Sequence, residues 1–554
     1  MVKTVRFLPF LAAALAAAIP AGAQSQFERT YSRTGQYATQ DIFSIRSLPD
    51  GGFMATGRFR DVYPLMYDMF LARFDDDGAL KWGRVYGKDN FNPAPAAPSF
   101  DDIAFDLAQT TDGGYIMAGH TDVGLSNNIY LIRTDAAGEA LWSYTYTGCN
   151  HSMAYSVDQT PDGGFLVIGS TACHPDSGGT HTLALKLDQN GQTQWARTLG
   201  EKGTSHFYHG MVLSSGGYLV VGQDAFGTEL TRAHLIKLNA EGIVEWNYQY
   251  DLDGMNTKVG GVVEVPFASA FTYVMIGSTI NPAPPNEQKL FAVRLGPNGR
   301  PVDQAVVYSF PEGTHGTLEV HDAMMLSNER IVFAGNVGME SVTTAMVGAL
   351  NLAQEKEWLR RVMGSKDDVS LFTSIAPTND GGFFLTRGEN RFYTARLDAQ
   401  GRTGCETVDL TMTTSRGNLA VINLDTIASA DWTATRVNLP TEVHDMPGLT
   451  LGTICGTALG VDHSSDTERI QGTAIAARRG ETLQLAASGT AAGEASISIA
   501  DAAGREIERR RVEMLSRSQG NAAVTLETSA LPAGIYLIRV ETARGLMEYK
   551  VVLY

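Results

Sequence analysis

Five of the chain's eleven histidines, His151, His174, His181, His206 and His209, fall close together in the sequence, with His120 in a like position further upstream. Neutral imidazoles ligate metals and shuttle protons near neutral pH, so such a group is the first place to look for chemistry. Nothing of the usual kind accompanies it. The sequence has no His-Glu-x-x-His, no Gly-x-Ser-x-Gly and no phosphate-binding loop, the arrangements that make a zinc protease, a serine hydrolase or a nucleotide site. His120, His151, His174, His206 and His209 therefore stand as ligand-face candidates, against the plainer reading of polar loop residues on a wet surface. No catalytic residue, metal site or cofactor is expected. The Asp-Asp-Asp-Gly run at 75–78 lacks the downstream Glu of a calcium loop and reads as a hairpin turn.

The four cysteines, Cys149, Cys173, Cys405 and Cys455, form two pairs that are close within each pair and distant between them. The expected disulfides are Cys149 with Cys173 and Cys405 with Cys455, as suits an oxidising compartment. That compartment is indicated by the N-terminus. Lys3 and Arg6 precede an apolar run from Phe7 to Ile19 and a small-residue site at Ala21-Gly22-Ala23, the pattern of a signal peptide over 1–23. The run is shorter than the roughly 20 residues a membrane span requires, and no later segment is long and apolar enough.

The elements that carry these residues repeat. TDGGYIMAGHT at 111–121 returns as PDGGFMATGRF at 49, PDGGFLVIGST at 161 and SSGGYLVVGQD at 214. Short β-branched and aromatic runs punctuated by such turns are strands joined by tight hairpins. The second-strand glycine recurs at Gly57, Gly119, Gly169, Gly222, Gly277, Gly335 and Gly388. Seven four-stranded units at that period predict a β-propeller over 24–404. A second turn, Asp-x-x-Gly, precedes the fourth-strand tryptophans Trp82, Trp142, Trp195 and Trp246, often with a Tyr or Leu four residues on; around 350, before Trp358, the turn's signature is lost. Positions i and i+4 of a strand face one way, so each pair can pack one blade on the next. The last unit lacks a fourth strand, and Phe27 and Tyr31 in the segment 27–35 supply the missing pattern, predicting that the N-terminus closes the ring.

Residues 27–401 resemble the secreted propeller-like repeat proteins of Bacteroidetes-type bacteria. The Asp-x-x-Gly-x-x-x-Trp segments also resemble the tryptophan-docking motif of quinoprotein dehydrogenases and of outer-membrane assembly lipoproteins, a shared way of locking blades that carries no chemistry by itself. Beyond the ring, 405–455 reads as a disulfide-bracketed cap or spacer containing Trp432, and 456–465 as a linker. From Asp466 to Tyr554 the composition changes to 11 acidic and 11 basic residues with three aromatics, all Tyr. Alternation at Ile497, Ile499 and at Tyr536, Ile538, Val540 predicts a small β-sandwich, and the charge run 505–511 covers a solvated sheet face. The segments DAAGRE, LPAGIYLIRV and YKVVLY resemble the type A C-terminal sorting domain of the type IX secretion system. That resemblance assigns Gly504, Arg505, Leu531, Gly534, Ile535, Tyr536 and Lys550 to the sorting motif, although the family's opening Asn-Pro is absent around 462–470. It implies the secretion machinery as a partner and an export domain that can be removed at the cell surface. An ordinary immunoglobulin-like appendage is the alternative.

The sequence thus predicts an all-β chain, a seven-bladed propeller followed by a C-terminal β-sandwich, secreted or displayed on the cell surface by way of the periplasm. Sixty Asp and Glu against 43 Lys and Arg argue against a nucleic-acid partner, whose phosphates the overall field would repel. The long, unrepeated loops share one face, where function on a rigid scaffold usually resides. The expected role is binding of a glycan, a peptide or a surface protein. The alternative is an enzyme of quinoprotein or lyase type with its site at the ring mouth, for which the first strands offer Asp106 and Asp158.

Overall fold

The computed structural model describes residues 26–32, 39–60, 67–87, 101–123, 126–147, 151–172, 180–199, 204–225, 230–265, 268, 270–282, 287–326, 329–339, 342–362, 373–388, 392–404, 407–423, 430–431, 435–438, 442–445 and 450–456, and, in a second unit, 469–471, 475–477, 482–487, 493–501, 506–516, 522–527, 534–542 and 545–553. The chain divides into compact units at Leu459/Gly460. The first unit is a seven-bladed propeller in which each blade is an antiparallel sheet and consecutive strands are neighbours. Blade 1 is Thr39–Ser47, Phe53–Arg60, Tyr67–Phe74 and Leu80–Gly87; blade 3 is Ser152–Gln159, Phe165–Thr171, His181–Leu187 and Thr193–Leu199. The others follow the same plan, with first strands Asp102–Gln109, Thr204–Val212, Asn256–Glu264, Thr317–Met325 and Thr373–Pro377. First strands touch one another around the axis and line the central channel.

Blade 7 takes its fourth strand from the N-terminus: Phe27–Ser32 pairs antiparallel with Phe392–Leu397, Tyr31 opposite Phe392. The aromatic pairs then lock blade to blade. A Cβ on Gly138, Gly242, Gly299 or Gly401 would lie 2.8, 2.8, 2.9 or 2.4 Å from the ring of Trp82, Trp195, Trp246 or Trp358 in the preceding blade, so only glycine admits the stacked indole. Four residues on, the hydroxyls of Tyr86, Tyr146 and Tyr250 donate to the carbonyls of Gly138, Gly191 and Gly299 at 2.6, 2.7 and 2.7 Å. Tyr31 does the same to Gly78 across the closure. The turn whose sequence signature is lost before Trp358 keeps its shape: Asn351 replaces the Asp, its Oδ1 accepting Glu355 N at 2.9 Å, and Gln354 stands at the glycine position with φ 65°.

The repeated second-strand glycine has a different cause from the turns. It faces a β-bulge in the first strand, where two residues oppose one. The register shifts at Phe43, Phe105, Tyr155, Tyr208, Gly260 and His321. A Cβ on Gly57, Gly119, Gly169 or Gly335 would fall within 1.7–2.0 Å of the first strand's carbonyl oxygen.

The segment after the ring is no cap or spacer between two domains. Between 407 and 456 it makes seven short strands, Thr407–Asp409, Thr413–Gly417, Leu419–Asn423, Ala430–Asp431, Thr435–Asn438, Glu442–Asp445 and Thr450–Gly456. Each pairs antiparallel with the fourth strand of a different blade, in the order 6, 5, 4, 3, 2, 1, 7. A belt therefore runs backwards around the ring and gives every blade a fifth strand, covering the edges that would otherwise template pairing with other chains. It ends on Phe27–Ser32, which lies between the last belt strand and blade 7.

In the second unit, the central strands Gly493–Asp501, Gly534–Thr542 and Gly545–Leu553 pair antiparallel, and Glu506–Ser516 continues the sheet towards Ala522–Glu527 and Thr482–Ala487. Ile497, Ile499 and Ile538 are buried, the inward half of the expected alternation.

Candidate functional site

The structure distributes the histidines among different environments. His120, in the second strand of blade 2 (Tyr115–Val123), is buried with its ring 5.5 Å from that of Phe105. Burial, helped by the nearby Arg58 charge, pushes its pKa down to about 4, so it is neutral at pH 7. Its Nε2 lies 3.7 Å from Asp122, which accepts from Asn127 Nδ2 at 2.9 Å, and Asn127 Oδ1 meets His151 Nδ1 at 3.0 Å. His120 and His151 are thus joined through two side chains at the loop face, with His151 exposed at φ 61°. His181 is buried in the third strand of blade 3. His206 and His209 are in the first strand of blade 4, and His209 borders the channel, where its charge acts on Asp158 and Asp322. His174, Cys149, Cys173 and Cys405 lie outside the described residues, and Cys455 is opposite Glu28 in the last belt strand. Among the described residues no group of three or more His, Cys, Asp or Glu is placed to hold a metal ion.

Among the described residues the central channel gathers the most chemistry. At the bulges, Phe43, Phe105 and Tyr155 form a half-buried aromatic wall across blades 1 to 3, with successive ring centroids 5.4 Å apart. Immediately after the bulges stand Ser44, Asp106, Ser156, His209 and Asp322. Arg46 donates to Asp106 at 2.7 Å. Burial pushes Asp158 up to about 6 against the opposing pull of His209 and Arg46, and burial also raises Asp322. These acids are engaged. Asp106 accepts Val157 N at 3.1 Å, Asp322 accepts Ile375 N at 3.0 Å, and Asp158 is bonded to the Val212 backbone. In each case the partner belongs to the next blade, as does Gly210 N on Ser156 Oγ at 3.2 Å. On the far side, His321 at 3.7 Å and Lys258 at 3.3 Å hold Glu319 down to about 2.

Asp106 and Asp158 are legible as channel residues from the sequence, and His209 as a candidate of the loop face; Arg46, Asp322 and the aromatic wall are not. A signal was present. Phe43, Phe105, Tyr155 and Tyr208 each stand fourteen residues before the second-strand glycine of their blade.

The opposite face carries the short hairpins. There the first-turn aspartates pair with basic residues of the third strands: Asp50 with Arg73 at 2.6 Å, Asp112 with Arg133 at 2.5 Å, Asp162 with Lys186 at 2.8 Å and Asp380 with Arg396 at 3.3 Å. Neighbouring hairpins are bridged where Thr111 N donates to Gln159 Oε1 at 2.8 Å and Ser214 N to Glu264 Oε2 at 2.9 Å.

Of the sorting-motif residues, Gly534, Ile535 and Tyr536 open the strand Gly534–Thr542, and Lys550 pairs opposite Leu537 in the final strand. Gly504, Arg505 and Leu531 lie outside the described residues. Residues 481–554 match the family of the secretion system C-terminal sorting domain. The chain therefore carries a type IX sorting domain, and the protein is exported, secreted or attached to the cell surface. No curated protein matches the chain. Among solved structures, a tail fibre of a Staphylococcus aureus phage aligns over 70% of this chain and 96% of its own at 7% identity and a TM-score of 0.20, a likeness too slight to carry an argument. Among the described residues no helix is long and apolar enough to cross a membrane.

Proposed function

We propose that the exported propeller is a non-catalytic binding or adhesion module that takes a glycan or a surface protein at the mouth of its ring, on the face of the long loops. The observation that carries this reading is the state of the channel: Asp106, Asp158 and Asp322 each hold a backbone amide of the next blade, while Phe43, Phe105 and Tyr155 remain half-buried. Carboxylates tied into the seams hold the scaffold, and partly exposed aromatics are the usual anchors of recognition sites. The test presents the full chain to a glycan array and to immobilised surface proteins. Tyr155→Ala and Phe43→Ala should weaken retention about tenfold, the scale of one lost anchor, and Asp158→Asn should leave it unchanged.

A second reading, an enzyme of quinoprotein or lyase type, is favoured by one feature: Arg46, Asp158 and His209 converge, and Asp158 is held at about 6, a value suited to proton transfer near neutrality. It predicts the reverse outcome, with turnover of an alcohol or a polyuronate substrate abolished by Asp158→Asn.

A further inference from the structure

The geometry points to a second binding site, for a neutral sugar, in the seam between blades 3 and 4 on the hairpin face. A groove of about 510 Å³ opens there, within the roughly 300–1,000 Å³ of small-ligand sites. The sequence explains why this seam is open. At the blade 2–3 and blade 4–5 seams, the residue after the start of the first turn donates its N–H to a side chain ending the next blade's first strand, as Thr111 does to Gln159 and Ser214 to Glu264. At the blade 3–4 seam the corresponding residues are Pro161 and Val212, which line the groove. Proline has no N–H and valine no acceptor, so that bridge cannot form. The fourth strand of blade 3 also ends in Leu199 where blades 1, 2 and 4 have the bonding tyrosine.

What remains has the chemistry of a sugar site. Trp195 lies with its ring against Gly242, donates its indole N–H to Ala240 O at 3.2 Å, and lines the groove. Tyr218 meets it at 5.8 Å between centroids and 54° between planes, making an aromatic corner for the C–H face of a pyranose. Around it Asp162, Lys186 and Gln194 form a fixed network, Lys186 Nζ donating to Asp162 at 2.8 Å and to Gln194 Oε1 at 2.9 Å. Arg197 and Glu241 complete the rim. The two cations and two anions balance, so a charged ligand gains no net field, and oriented donors and acceptors suit hydroxyl groups.

The site is independent of the one at the ring mouth, and the test separates them. The full chain is titrated calorimetrically with cellotetraose, xylotetraose, mannotetraose and chitotriose. At least one should bind, and Val212→Phe, which fills the groove, should weaken it by about tenfold or more. Trp195→Ala should do the same, while Val302→Ala, at an exposed position outside both sites, should bind as the unaltered chain does. Absence of binding across the panel, or unchanged affinity in Val212→Phe, overturns the proposal. Loss in Tyr155→Ala alone places the sugar at the mouth and overturns the seam site while leaving the mouth reading intact.

Discussion

His120 shows how a residue chosen for its chemistry can be better explained by its burial. Its folded pKa of about 4 lies below the ordinary value near 6.5, so folding favours the neutral ring. That contribution is complete above pH 6.5 and is lost as pH falls towards 4. Arg58, Asp122 and Phe105 face it, and the nearby cation opposes protonation. Urea unfolding at pH 7.5 and 4.5 should therefore show His120→Gln losing less stability on acidification than the unaltered chain, by about 2–3 kcal/mol. An equal loss in both would mean that the imidazole is hydrated and protonates freely. Gln354 offers a second test. It holds a left-handed φ of 65°, its side-chain Oε1 and Nε2 are buried without hydrogen bonds, and Tyr308 donates to its carbonyl. Four residues before Tyr308 stands Gln304 in place of the usual tryptophan. The two glutamines thus replace a Trp–Gly lock together. Gln304→Trp with Gln354→Gly should be more stable than the sum of the single changes by about 1–2 kcal/mol, and strict additivity in a denaturation cycle would show that the positions do not touch.

At the scale of elements, the blades were legible because each hairpin announces itself with turn chemistry and a two-residue period. The belt was not, and its residues explain why. Ala430–Asp431 and Thr407–Asp409 are two and three residues long, too short for any alternation, and their strand state is set by the blade edge they meet. The bulges were likewise hidden, since the second-strand glycines that face them read only as markers of the repeat. The belt gives Cys455 a physical setting, while Cys405 lies outside the described residues. Thr403, two residues before Cys405, donates to Glu28 at 2.6 Å, and Cys455 pairs opposite Glu28. Thr403, which precedes the belt, and the belt's last strand therefore both reach Phe27–Ser32. A disulfide there would clasp the belt, and closing a loop of that length contributes roughly 4 kcal/mol in the chain-entropy picture. Non-reducing peptide mapping should recover Cys405 with Cys455 and Cys149 with Cys173; a cross-link between the pairs would refute the clasp. Deletion of 27–32 removes the strand on which ring and belt both close, together with the buried Phe27 and Tyr31. It should cost at least about 4 kcal/mol, the scale of losing a large buried aromatic, and unaltered unfolding of the deleted chain would contradict the closure.

For the whole molecule, the division at Leu459/Gly460 separates a ring that is complete only at Gly456 from a sorting domain that matches over 481–554. A cut before 456 would strip the final belt strand from Phe27–Ser32. A chain ending at 459 should therefore melt like the propeller of the full protein, whereas one ending at 449, lacking Thr450–Gly456, should be less stable by several kcal/mol, since it exposes an unpaired edge at the closure. In a host with a type IX system, the chain ending at 459 should remain in the periplasm, folded, and a carrier fused to 460–554 should leave the cell. Gly534 offers a point change within that domain. It lies in a strand opposite Leu553, and loss of export in Gly534→Val with the domain still folded would mean that the machinery reads this position directly. Two results would sink the division of labour: normal export of the chain ending at 459, or a shared loss of stability on separating the two units, which would make the sorting domain part of the working propeller.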